Sequence, residues 1–357
     1  MTSSTSLTTT SDTGSGHRSE ESDGVRWAAG IWVIVVVFAV ITAWWSHHVG
    51  IPLRDPDGKM FRGRLLSAVV LLAVLSVLEA AWRGWRTKRP QASLPRLVRG
   101  LPAVWRARWT NRRLALALAG LVAYHAVYIC YRNLKSWDAF NTVRDQQMLR
   151  WDRDLFGGHS PAVLLHDLLG THAWAYVLVV VYKAFTYLVP LSVMGSLAFV
   201  PRIREAYVFL ASSLWVWVLG VGSYYLIPTL GPFASAPREF AGLPHTSITS
   251  TQAEYLAQRA HLLADPSASD AFASISAFAS LHVGFTCMVL FMMLYYRRRW
   301  LSVALTVYLV LVMIATVYLG WHFVSDVGAG VVLAGLAVLL GRLTVYPRWH
   351  RGDMPTG

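Results

Sequence analysis

Between Trp300 and Leu343 the chain reads WLSVALTVYLVLVMIATVYLGWHFVSDVGAGVVLAGLAVLLGRL, with Asp326 and Arg342 as its only formal charges. Crossing a hydrocarbon core of ~30 Å as a helix takes about 20 apolar residues. The stretch therefore reads as two membrane spans, 300–319 and 322–343. Between them, at the start of the second, lie His322 and Asp326. Working outward, the same test marks runs near 27–45, 65–82, 113–131, 173–199, 206–227 and 279–296, making eight spans in all. The expected fold is all-α, a polytopic membrane helix bundle of about eight transmembrane helices.

Composition agrees, with 55% hydrophobic residues, 14% charged and a mean hydropathy of +0.43, where soluble domains are about a quarter charged. The net charge of +13 is distributed as membrane topology requires rather than as a nucleic-acid surface. With the N-terminus placed inside, 20 of the 32 Lys and Arg fall on the cytoplasmic side, 11 in outer segments and one, Lys183, within a span. That is the positive-inside pattern, although the outer loop from Ser46 to Arg64 carries four basic residues. The expected setting is a bacterial cytoplasmic membrane with both termini inside. Residues 1–25 read as a disordered cytoplasmic tail and 26–112 as two N-terminal spans with a basic loop. Residues 113–345 read as the membrane-embedded catalytic core, and 346–357 as a second cytoplasmic tail.

Two outer segments are long enough to carry function. In the first, Trp137, Phe140, Met148, Trp151 and Leu155 recur at helical spacing, which predicts a helix lying along the outer surface. A short helix should follow, with Ser160 as N-cap, Pro161 in its first turn and its end near Gly170. The second segment, Pro228 to Phe278, contains Thr251 followed by Glu254, a capping-box spacing that predicts a lid helix near 252–263. On the other side, Trp105 and Trp109 among arginines read as an interfacial approach to a span. Cys130 and Cys287 read as packing residues.

The chemistry concentrates in histidines that the topology places on one side. "SLHVG" puts His282 at the outer end of the sixth span, and "YLGWHFVSD" puts His322 and Asp326 at the outer start of the eighth. Four residues apart at a helix start, His322 and Asp326 share a face, so the carboxylate can hold one imidazole nitrogen and leave the other free. Such a histidine can attack phosphorus and form a phosphohistidine while a second histidine protonates the departing oxygen. A single His–Asp pair is more often structural; two matching motifs change that weighing.

"SLHVG" and "YLGWHFVSDVGAG" resemble the second and third signatures of the type 2 phosphatidic acid phosphatase superfamily. The resemblance implies a six-helix core, His322 as nucleophile, Asp326 as its partner, His282 as general acid and Ser280 as a donor to phosphate. It implies no cofactor and no metal. That superfamily's lipid phosphatases carry a Lys and an Arg in a first motif and a further Arg before the third. Here Thr316 occupies the last place, and "YYLIPTLGPF" aligns Tyr224 and Gly231 with the first two. The pattern instead resembles the branch of the fungal inositol phosphorylceramide synthases, as "LRWDRDLFGGHSPA" also does, over about Trp137 to Leu340.

With that clamp absent, the phosphate charge must be met by other groups, among them Arg132, Lys135, Arg150, Arg153, Arg238 and Arg259. Lys183, deep in a span, is a candidate by position, and Tyr224 and Tyr225 should shape the mouth of the site. The expected partners are a phospholipid or polyprenyl phosphate and the bilayer, with no nucleic acid. The expected function is a membrane lipid phosphotransferase of inositol phosphorylceramide synthase type, with a lipid or polyprenyl phosphate phosphatase as the alternative. A metal-dependent hydrolase and a lipid transporter or flippase are the competing classes. The transporter reading is favoured by the span count and Lys183, and disfavoured because the polar constellation lies at the membrane boundary rather than the midplane.

Overall fold

The computed structural model describes residues 25–87 and 94–347. The tails expected at 1–25 and 346–357 lie almost wholly outside those ranges. Among the described residues, seven helical segments are long and apolar enough to span a bilayer: Val25–Val49, Lys59–Arg86, Asn111–Phe140, Ala173–Phe199, Ile203–Leu226, Arg299–Tyr318 and Val324–Val345. Their main helices are α1 (Ala29–Val49), α2 (Arg64–Thr87), α4 (Asn111–Trp137), α7 (Ala173–Phe199), α8 (Ile203–Leu226), α11 (Arg299–Tyr318) and α12 (Val324–Val345). The amphipathic α3 (Leu94–Arg108) joins α2 to α4; α5 (Asp145–Leu155), α6 (Pro161–Leu169) and α9 (Ser247–Ala264) lie in the long connections. This is a multi-pass helical membrane bundle, as the hydropathy pattern predicts.

The sixth expected span departs from that pattern. Its helix, α10 (Leu281–Tyr295), has 15 residues and rises only about 22 Å at 1.5 Å per residue. Residues 271–280 before it are non-helical and almost entirely buried, a state tolerated at membrane depth only where protein groups satisfy the backbone. They do so here one after another. Ala273 N–H donates to Ser136 Oγ (2.9 Å), Ala277 N–H to the Thr229 carbonyl (2.9 Å) and Phe278 N–H to Thr229 Oγ1 (3.0 Å). Ala279 N–H donates to Ser223 Oγ (2.9 Å) and Ser280 N–H to the Asp326 carbonyl (3.1 Å).

At the centre stands α8, with 72% of its apolar window buried against 33% or less for α1, α2, α7, α11 and α12. It packs on α12 and α4. Small residues permit the closest approaches: a Cβ at Gly330 of α12 would stand 2.6 Å from the Ser280 carbonyl oxygen, so any side chain there would push α10 away. Gly328, by contrast, faces open space.

The surface helices differ in detail from the periodicity. The spanning helix α4 runs on through Trp137, followed by a 3-10 turn at Asp138–Phe140, so the expected surface helix is confined to α5. α6 begins at Pro161 after Ser160 and ends at Gly170, as predicted. The lid helix α9 starts earlier than expected, capped by Thr246 with Thr249; Thr251 lies inside it and donates to the Ser247 carbonyl (2.8 Å).

At the end of the bundle away from the histidines, Arg108 and Arg113 donate to the last carbonyls of α7 and the turn beyond it, Leu197, Ala198, Val200 and Pro201, at 2.7–3.0 Å. Such capping satisfies orphan carbonyls and complements the helix dipole. The buried Glu79 pairs with Arg83 (2.7 Å) and Arg108 (2.8 Å). Trp105 and Trp109 pack inward: the Trp105 indole donates to Ser76 Oγ (3.0 Å), and Trp109 is buried.

Candidate active site

His322 stands in the turn between α11 and α12. The backbone N–H groups of Trp321 and His322 both donate to the Thr316 carbonyl, at 3.0 and 3.2 Å, which fixes the turn. Its imidazole is buried, and Nδ1 lies 3.4 Å from Asp326 Oδ2. Asp326, one turn into α12 and fully buried, also accepts from the Phe323 N–H (3.0 Å); its Oδ1 has no hydrogen-bond partner. With Nδ1 on the carboxylate, Nε2 is the nitrogen left for a ligand.

The first turn of α10 carries His282. Its ring stacks on Tyr182 of α7 (4.2 Å between centroids) and rests against Phe185 (4.3 Å). Tyr182 in turn stacks on Trp321 (5.7 Å), whose indole N–H is buried without a partner. The two imidazole centroids are 6.0 Å apart, so one tetrahedral group between them lies within reach of both. Ser280 is the N-cap of α10, its Oγ accepting from the Val283 N–H (3.4 Å). The predicted His282, Ser280, His322 and Asp326 are thus brought together.

What holds the turn in place is a residue that sequence reading passed over. Asp152 of α5 accepts from the N–H groups of Val324 (2.7 Å) and Ser325 (3.1 Å) and from Ser325 Oγ (3.0 Å). It acts as an N-cap supplied from elsewhere in the chain. Burial pushes its carboxyl above the ordinary carboxylate range, and the bonds from Val324 and Ser325 oppose that shift. Asp145, on the same helix, accepts from the N–H groups of Leu230 (3.0 Å) and Gly231 (2.9 Å). Gly231 has φ of 105° and lies against the Trp321 carbonyl, where a Cβ would come within 2.6 Å. The Pro-Thr-Leu-Gly loop is therefore clasped to the histidine turn. Beside His322 opens a cleft lined by Leu149, Asp152, Arg153, Ser160, Pro161, Glu239 and Val317.

Apart from Arg153, which lines that cleft, the other predicted residues scatter. Lys183 is exposed on α7 and donates to Ser247 Oγ at the start of α9 (3.1 Å). Tyr225 donates to the Leu134 carbonyl (2.8 Å), and Arg259 to that of Ala139 (3.0 Å). Arg238 is exposed in the 3-10 turn Pro237–Phe240, and Arg153 pairs with Glu239 (2.7 Å). Tyr224 is buried, its hydroxyl 3.4 Å from that of Tyr131 and its ring 5.3 Å below the Lys135 ammonium. Thr316 donates to the Met313 carbonyl (2.9 Å). Among the described residues, no three His, Cys, Asp or Glu side chains are grouped to hold a metal ion.

Comparison with known proteins gives one finding on family. Residues 146–340, more than half of the chain, match the profile described as the PAP2 superfamily. No match was found among curated proteins or among solved structures.

Proposed function

The chain belongs to the PAP2 superfamily, whose members are typically phosphatases or phosphotransferases, and on that premise we propose that it is a lipid phosphotransferase working through a phosphohistidine. His322 Nε2 attacks phosphorus, the N–P bond forms as the P–O bond to the leaving group breaks, and His282 delivers a proton to the departing oxygen. In the second half an acceptor hydroxyl attacks the same phosphorus. His282 takes its proton, and the N–P bond breaks. Asp326 holds His322 by Nδ1 and stabilises the imidazolium formed in each half. The observation that carries this reading is the pair of imidazoles 6.0 Å apart, one of them oriented by a buried carboxylate at 3.4 Å.

The finer reading is transfer of a phosphorylated head group to a lipid alcohol, as in the inositol phosphorylceramide synthases that the histidine and α5 motifs resemble. It is supported by the shortness of α10, which has 15 residues, and by Thr316 and Tyr224 at positions where the lipid phosphatases carry cations. The positive-inside distribution supports an extracytoplasmic site in a bacterial cytoplasmic membrane.

The test is product analysis with purified protein and its His322→Ala variant on labelled phospholipids and polyprenyl phosphates, with and without lipid alcohols. A new phospholipid formed only with the alcohol, and lost in the variant, is the expected result. Release of phosphate or head group without an acceptor would make the protein a hydrolase. Equal inertness of both proteins across the panel would favour transport.

A further inference from the structure

Arg132 and Lys135 lie three residues apart at the histidine end of α4 and so share a face of the helix. Arg132 Nη2 donates to Ser274 Oγ (3.1 Å), and its guanidinium lies over Phe272 at 5.3 Å; the Lys135 ammonium lies over Tyr224 at 5.3 Å. Among the described residues neither forms an ion pair. Asp138, the carboxylate within electrostatic reach of Lys135, is engaged by Asn141 Nδ2 (2.9 Å) and Ser276 Oγ (2.8 Å). Lys135 and His322 are both close enough to act electrostatically on His282.

Two neighbouring cations at the margin of a hydrocarbon slab are costly without a counter-charge, and two aromatic faces offset only part of that cost. An anion completes the arrangement. Resting on the phosphoryl-transfer reading, we propose that Arg132 and Lys135 bind the anionic oxygens of the substrate's lipid-borne phosphate and hold it against His282 and His322. The guanidinium fork grips two oxygens while the ammonium serves as a point charge. Both residues precede residue 146, so this part of the site comes from outside the segment that matches the family.

The experiment titrates inorganic phosphate into the full-length protein in detergent by calorimetry, then repeats the titration in mixed micelles containing dioleoyl phosphatidic acid. Lys135→Met and Arg132→Gln should each weaken phosphate binding about tenfold or more, Lys135→Arg should keep most of it, and His322→Ala should leave it nearly intact. Phosphatidic acid should compete with phosphate. Wild-type affinity in Lys135→Met and Arg132→Gln proteins of unchanged melting temperature would overturn the proposal, as would phosphate binding that the lipid fails to displace. Should those variants not fold, Arg132→Lys carries the test: it keeps the charge and loses the fork, and unchanged affinity would overturn the paired grip. Turnover that needs His322 together with phosphate binding indifferent to Lys135 would sink this inference and keep the proposed function. Phosphate binding that depends on Lys135, in a protein inert on every lipid, would do the reverse.

Discussion

The two ends of the bundle use charge in opposite ways. At the end away from the histidines, Arg108 and Arg113 are spent on the carbonyls that close α7, and Glu79 is locked between Arg83 and Arg108. Nearby, Glu205 accepts from the hydroxyls of Tyr295 (3.0 Å) and Tyr346 (2.6 Å). At the histidine end, Asp145 and Asp152 cap backbone, while Arg132 and Lys135 face aromatic rings and form no ion pair among the described residues. Charge at one end closes the fold; at the other, on the proposed reading, part of it serves a ligand.

Substitutions at each end should therefore separate activity from stability. The largest effect is expected for Asp326→Asn, which leaves His322 without its carboxylate: turnover should fall by about 10²–10⁴-fold with little change in melting temperature. A parallel loss of folded protein would mean that the pair is structural. Glu79→Ala should do the opposite, costing about 3–5 kcal/mol in denaturant unfolding because buried cations lose their partner, while kcat of the folded fraction is unchanged. Gly330→Val bridges the two classes. Its side chain meets the Ser280 carbonyl next to His282, so about 1–3 kcal/mol of overpacking strain should accompany a loss of activity; a fully active variant would show that the α10–α12 contact does not position His282.

The smallest effect is expected for Asp152→Asn, about 1–2 kcal/mol in thermal unfolding for the altered clasp on α12. It also carries a pH signature. Because burial raises this carboxyl, its charged form is disfavoured in the folded chain relative to the unfolded one. Its contribution to stability is full below the ordinary carboxylate value and is lost as pH climbs through the raised one. Removing it should flatten that part of the stability profile, and an unchanged profile would show that Asp152 does not titrate there.

How legible this was follows from sequence distance. Spans were readable because each carries its own apolar run, and His322 and Asp326 because four residues is one helical turn. Asp145 and Asp152 act on backbone 85 and 172 residues away, which no local pattern encodes. The lid helix began early because Thr246 and Thr249 supply a cap that competes with the Thr251 and Glu254 spacing. Most of the stretch at 271–280 was expected as part of an outer segment; its burial was not legible because its partners Ser136, Thr229 and Ser223 lie on other segments. Arg132 and Lys135 were visible as cations, but only packing puts Lys135 within electrostatic reach of His282 and leaves Arg238 exposed.

The shortness of α10 has a consequence for which acceptor prevails. With Arg297, Arg298 and Arg299 set at the inner face, a helix of about 22 Å in a slab of about 30 Å would start His282 several ångströms below the outer surface, with the buried residues 271–280 ahead of it. Water would be dilute at that level, while a lipid alcohol confined to one leaflet would be concentrated there by partition alone. On the proposed reading, the choice between hydrolysis and transfer is then set less by recognition of the acceptor than by the local abundance of each at the depth where the histidine is held.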